Sequence, residues 1–136
     1  MVRLIMGEKG TGKTKKLIEL VNAAAGEENG NVVCLEAKSS MTFDLHYHVR
    51  LVNADEYQIL TYEALRGFIS GMYASNYDIS YVFIDNLFKI VGGECNQEAE
   101  NFLNWLERFS NRYGVKFTVS VTGSPDLATD GMQKYL

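Results

Sequence analysis

Proline is nearly missing from this chain, one residue in 136, at position 125. Disordered segments and extended linkers use far more of it. With 46% hydrophobic and 12% aromatic residues, the composition is that of a packed globular protein. Cysteine is also scarce: Cys34 and Cys95 alone, with Cys34 inside an apolar run. That excludes a disulfide scaffold and points to free thiols in a reducing compartment. Positive charge is in deficit, and a net charge of −4 argues against a broad nucleic-acid footprint, though not against a local one. No apolar run approaches the ~18 residues of a membrane span, and charge enters by residue 8. A cytoplasmic location without membrane contact is expected. The two histidines, His46 and His48, lie near no cysteine cluster, and on a helix residues two apart diverge. They read as surface groups rather than zinc ligands. No internal repeat, linker or low-complexity segment breaks the chain, so residues 1–136 are expected to form one domain, burying about two thirds of its unfolded surface.

What is abundant is concentrated near the start. Gly7-Glu8-Lys9-Gly10-Thr11-Gly12-Lys13-Thr14 fits G-x-x-x-x-G-K-[ST]. An apolar run at residues 2–6 feeds into it and a helical pattern leaves it, the context a phosphate-cradling loop needs. Its glycines permit backbone angles closed to other residues, so successive N–H groups can point inward. The helix that follows adds unpaired N–H groups and the positive end of its dipole. Lys13 would reach the β- and γ-phosphates as a point charge, and the Thr14 hydroxyl would sit on Mg²⁺. Lys9, Lys13, Lys15 and Lys16 are the only dense basic cluster, suited to a small polyanion. The predicted nucleotide-binding set is therefore the loop from Gly7 to Thr14, with Lys15 and, from the resemblance below, Thr122.

Taken in order, residues 2–6 read as the first strand. Residues 13–25 read as a helix with Leu17, Leu20, Val21 and Ala24 on one face and Gly26 as its stop. The apolar run at 31–36 reads as a strand buried on both faces. Met41, Leu45, Val49 and Val52 suggest a helix over 41–52, capped by Ser40. Residues 57–61 read as a third strand, 62–74 as an amphipathic helix and 79–85 as a fourth strand. Asn96 caps the clearest helix, 97–113, whose inward face is Phe102, Leu103, Leu106, Phe109 and Tyr113 and whose stop is Gly114. In it Trp105 reads as core rim rather than a base-stacking platform. Residues 115–121 form a fifth strand, followed by a weak tail. Alternation of this kind gives an α/β fold, a three-layer α/β/α sandwich with a mainly parallel five-stranded sheet.

Tyr81-Val82-Phe83-Ile84-Asp85 is four apolar residues and then an acid. Asp85 would emerge at the carboxyl edge of the sheet, where a cation sits, and could hold Mg²⁺ opposite Thr14. The alternative is an acid that merely ends a strand. This pair of motifs resembles the P-loop nucleoside-triphosphatase superfamily, and the element order is most similar to its RecA-like, ATP-hydrolysing branch. The resemblance covers most of the chain. It implies strand order 3-2-4-5-1, numbering strands along the chain. It also implies a polar end of the last strand that senses the γ-phosphate, matched here by Ser120 and Thr122. Many members place a catalytic glutamate directly after the strand acid; here Asn86 stands there, and an amide takes no proton. In RecA-like members the glutamate ends the second strand, which Glu36 matches, either as catalyst or as a solvated charge at a strand exit. Lys13 and Glu36 are thus the candidate catalytic residues. Residues 59–65, 81–85 and 122–126 also echo the first motor domain of superfamily-one helicases, which need a second motor domain.

An ATP-binding, Mg²⁺-dependent ATPase is the leading expectation. ATP rather than GTP follows from the branch, since no Asn-Lys-x-Asp occurs. A non-hydrolysing module signalling through occupancy is the alternative that Asn86 motivates. A small-molecule or nucleoside kinase ranks below both, because no arginine-rich lid follows the helix at 97–113. An arginine finger could come from Arg50, Arg66, Arg108 or Arg112, of this chain or of a neighbour. The predicted order leaves the first strand at an edge that nothing after residue 122 looks able to cover, so self-association or a protein partner is expected.

Overall fold

The computed structural model describes residues 1–38 and 44–136. Strands β1 (Val2–Gly7), β2 (Asn31–Glu36), β3 (Arg50–Asn53), β4 (Ile79–Ile84) and β5 (Lys116–Thr122) form one sheet, every neighbouring pair parallel, in the order β1-β5-β4-β2-β3. That is the expected order. Between the strands run α1 (Lys13–Glu27), α2 (Tyr62–Ser75), the short α3 (Leu87–Val91) and α4 (Gln97–Tyr113), and a last short helix, α5 (Asp130–Gln133), closes the chain.

Helices cover both faces because strand side chains alternate. On one face Leu17, Val21 and Ala24 of α1 pack on Ile5, Val32, Cys34 and Phe83. On the other, Leu65 and Ile69 of α2 with Phe102, Leu103 and Leu106 of α4 pack on Val33, Leu35, Val82, Phe117 and Val119. β2 is buried at all but its first residue, as a central strand covered on both sides must be. The long helices start where the sequence says: Thr61 accepts the Ala64 N–H at the head of α2, and Asn96 accepts the Ala99 N–H at the head of α4. Gly114, at φ 73°, ends α4.

Three expectations fail. The third strand is Arg50–Asn53, not residues 57–61. Leu51 and Val52 pair with Cys34 and Leu35, after which Asn53 accepts the Asp55 N–H and turns the chain into a 3₁₀ turn, Ala54–Tyr57. Gln58, at φ 54°, completes that turn, and the run at 59–61 is consumed in reaching the α2 cap. The helix over 41–52 is absent wherever it is described: residues 44–49 are turns and bends and 50–53 a strand. Residues 39–43, including the Ser40 cap, lie outside the described residues. Val49 and Val52 are buried as the spacing suggested, but spacing alone does not distinguish a β-branched helix face from a loop entering a strand. Gly26 does not stop α1, which continues to Glu27.

The tail also does more than expected. Tyr135 accepts the Leu4 N–H at 2.7 Å on the outer edge of β1, and Met132 and Tyr135 enter the core. A carbonyl of the chain's own tail thus takes part of the edge that would otherwise template pairing.

Two glycines give a prediction of opposite signs. Gly26 is exposed within α1, and a Cβ there meets nothing within 4 Å. Gly26→Ala should stabilise the fold by ~0.5–1 kcal/mol. A Cβ on Gly30 would lie 2.3 Å from the Asp78 carbonyl oxygen, which is backbone and cannot swing aside. Gly30→Ala should cost ~1–3 kcal/mol. Chemical denaturation of both variants reads both signs, and a neutral Gly30→Ala would contradict the packing.

Candidate functional site

The segment between β1 and α1 is built around positive φ angles and one carbonyl. Gly10 and Gly12 sit at φ 85° and 83°. The Glu8 carbonyl accepts three donors: Thr11 N–H at 3.2 Å, Thr11 Oγ1 at 2.7 Å and Lys13 Nζ at 3.2 Å. A Cβ on Gly7 would lie 2.6 Å from Thr11 Oγ1 and 3.2 Å from Cγ and Cδ of Lys13, so the lysine stem lies across a space only glycine leaves open. A cleft of about 420 Å³ opens beside it, lined in part by Gly7, Thr11, Gly12, Lys13, Ser124 and Pro125. Glu8, Lys9, Gly10, Thr14 and Lys15 are exposed.

The helix that starts here is unlike the other two long ones. Helices α2 and α4 have a side-chain cap and acids in the first turn: Glu63 in α2, Glu98 and Glu100 in α4. Helix α1 starts on Gly12 with no side-chain cap and no acid in its first turn, which instead holds Lys13, Lys15 and Lys16. Three cations at the positive end of a helix dipole oppose the helix and favour an anion.

The acids approach along the carboxyl edge. Gly7 stands opposite Thr122 in the β1–β5 register, and β4 lies beyond β5. Asp85 follows β4 directly, its N–H donating to the Leu35 carbonyl at 2.8 Å. Ser120 Oγ donates to Asp85 Oδ1 at 3.1 Å and accepts the Asn86 N–H at 2.8 Å. Burial pushes the Asp85 carboxyl above its ordinary range, while the Ser120 hydrogen bond, Lys13 and Lys89 pull it partly back. Glu36 ends β2 on the same sheet face and is 1% exposed. Both carboxylates face Cys34, whose thiol is pushed well up by burial first, then by Asp85 and Glu36.

The fold therefore brings together the loop, Thr14 at the head of α1, Asp85, Glu36 and Thr122 at one edge. Two sequence alternatives are corrected. Glu36 is not a solvated charge at a strand exit, because β3 on one side and β4 on the other enclose the end of β2. Ser120 is not an open sensor of a bound phosphate, because its hydroxyl is engaged with Asp85 and Asn86. Thr122 is exposed, with its hydroxyl 3.5 Å from Asn86 Oδ1. Asn86 holds a left-handed φ of 53°. The described arginines named as fingers lie elsewhere: Arg50 begins β3 at the opposite edge, Arg66 lies over the Phe102 ring, and Arg108 and Arg112 line a groove between α2 and α4. Lys89, which sequence reasoning passed over, is the second cation felt by Asp85. Nothing in the sequence flags it, since its position depends on α3 turning back over β5. Among the described residues no group of three or more His, Cys, Asp and Glu gathers as a metal cage. Thr14 and Asp85 are the two residues of the expected metal pair, one hydroxyl and one carboxylate, oxygen donors of the kind a hard cation takes when phosphate oxygens and water complete its shell. His46 and His48 are exposed in a turn, not on a helix, with ring centroids 5.0 Å apart.

No protein-family model matches the chain, and no curated protein matches its sequence.

A carboxyl raised by burial favours the fold when protonated, so its contribution is present in acid and is lost as pH rises through its folded value. Asp85→Asn removes that loss. Its melting temperature without ligand should exceed the parent's by a margin that grows from pH 4 to pH 8, on the scale of a few degrees per kcal/mol, roughly. A margin that shrinks with pH would contradict the burial described for Asp85.

Proposed function

We propose that this chain is a Mg²⁺-dependent ATP-binding protein of the P-loop nucleoside-triphosphatase superfamily, RecA-like branch, that hydrolyses the γ-phosphate slowly. One observation carries the reading. A loop with left-handed Gly10 and Gly12 delivers three lysines, rather than a cap and acids, to the head of α1. The N–H groups of the loop, apart from that of Thr11, which bonds to the Glu8 carbonyl, and those of the first turn of α1 cradle the phosphates. Lys13, now resting on the Glu8 carbonyl, exchanges that neutral acceptor for a phosphate oxygen, a stronger charge-assisted bond. Thr14 and Asp85 hold Mg²⁺, which neutralises charge on the phosphates when bound. Glu36 orients and deprotonates the attacking water. Thr122, exposed at the end of β5 with its hydroxyl 3.5 Å from Asn86 Oδ1, senses the terminal phosphate.

Lys13→Ala should weaken binding of a non-hydrolysable ATP analogue with Mg²⁺ by about ten- to a hundredfold, by calorimetry. Unchanged affinity removes the proposal. A second reading, a module that binds and releases without hydrolysis, has Asn86 in its favour: an amide in place of a base directly after Asp85. Single-turnover hydrolysis separates the two. Turnover that falls about 10²–10⁴-fold in Glu36→Gln identifies the enzyme and its base. Absent turnover in the parent, with analogue binding intact, identifies the module.

A further inference from the structure

Among the described residues, the largest ring cluster lies at the sheet edge opposite the phosphate loop. Helix α4 presents Trp105, Arg108, Phe109, Arg112 and Tyr113 on one face, spaced three and four apart. Helix α2 presents Tyr73, and Tyr77 follows its end. Between them is a cavity of about 660 Å³, larger than the cleft at the loop. Its rings touch in sequence: Trp105 to Phe109 at 5.3 Å between centroids, Phe109 to Tyr113 at 4.7 Å, Tyr113 to Tyr73 at 4.9 Å and Tyr73 to Tyr77 at 5.5 Å. Trp105 holds the core-rim position expected of it, stacked on Phe102 at 6.3 Å, and with Phe109 it fixes the platform from the core side, while Tyr77 is 75% exposed.

Two features narrow the occupant. No leucine, isoleucine, valine or methionine lines the cavity, so it lacks the aliphatic sockets in which an amphipathic peptide seats its anchors. Apart from Ala74 its apolar lining is aromatic, which suits a flat ring. Among the described residues the one ion pair is Lys116 with Glu28, so neither groove arginine is matched by a carboxylate. In a chain of net charge −4, two guanidiniums without a carboxylate partner, that of Arg112 resting 5.2 Å over the Tyr113 ring, are complementary to an anion. Arg112 lies in the last turn of α4, where it offsets the carbonyl end that would otherwise repel an anion. The ring of the ligand takes the aromatic lining and its anion takes the arginines. Only these two arginines line the cavity, which is no track for a polymer backbone.

We propose that this groove is a second ligand site, for a free mononucleotide. The base stacks among Trp105, Tyr73 and Tyr77, and the phosphate bonds to Arg108 and Arg112. The proposal is independent of the ATP reading above.

Trp105 is the only tryptophan, so its fluorescence reports this groove directly. Titration with adenosine monophosphate should quench it saturably, with adenosine at least about tenfold weaker, since only the former engages the arginines. Arg108→Gln with Arg112→Gln should remove that preference. Tyr77→Ala, which deletes an exposed ring and leaves the core intact, should weaken binding several-fold. Lys13→Ala should leave the quenching unchanged, which separates this site from the phosphate loop. Quenching that fails to saturate at millimolar ligand, equal affinity for adenosine, or loss in Lys13→Ala overturns the proposal. Binding of a single-stranded adenine hexamer more than about tenfold tighter than the monophosphate also overturns it, in favour of a nucleic-acid surface.

Discussion

Three lysines in the first turn of α1 stand against the positive end of that helix's dipole, with no carboxylate in that turn. Misplaced charges of this kind cost ~0.3–1 kcal/mol each when exposed. The same chain handles the matter conventionally at α2 and α4, with a capping side chain and acids. The local conflict at α1 is therefore specific to one place, and the helix survives it through the opposite turns. Leu17 and Val21 are fully buried, and Ala24 nearly so, against the sheet. Packing anchors the helix, which leaves its head free to be electrostatically wrong in the absence of an anion.

The sheet order makes this head useful. A parallel sheet sends all its strands' carboxyl ends to one edge, so the loop after β1, Asp85 after β4 and Glu36 at the end of β2 arrive together. With β5 inserted between β1 and β4, the loop and Asp85 are two strand spacings apart, about 10 Å. On the proposed reading, that separation is the space the phosphates and their ion would take. The intervening strand is not passive. Ser120 of β5 bonds to Asp85 and to the Asn86 N–H, so the acid's position and the left-handed Asn86 are both fixed from the strand that touches the loop. A displacement at the end of β5 would be felt at Asp85 through that hydroxyl.

Much of this was legible in the residues. The loop, the four longer strands, and the cap at Asn96 follow from patterns that depend on a few neighbouring side chains. Two parts were not. β3 is a four-residue edge strand whose side chains Leu51 and Val52 gain burial only after β2 is in place, so the more strand-like run at 57–61 outranked it locally. The burial of Glu36 and the engagement of Ser120 are likewise set by neighbours distant in sequence. A terminal residue of a strand looks solvated until the strands on both sides are known.

The two faces of the sheet divide the work unequally. The face under α2 and α4 is almost wholly apolar and carries Phe102, Phe117, Leu103 and Leu106 at 0 to 1% exposure. The face under α1 carries Thr118, Ser120, Cys34 and Glu36, all buried. Polar groups there cost stability unless bonded, and the pattern of bonds shows how that cost is contained: Thr118 with Tyr81 at 2.7 Å, Ser120 with Asp85. A chain of this size has only a few kcal/mol to spare, ~5–15 in total. It can place carboxylates and hydroxyls under one helix because the opposite helices bury the large rings. The stability that permits a polar site on one face is thus supplied by the other, and substitutions that thin the α2–α4 core should be felt first where the polar groups are least tolerable.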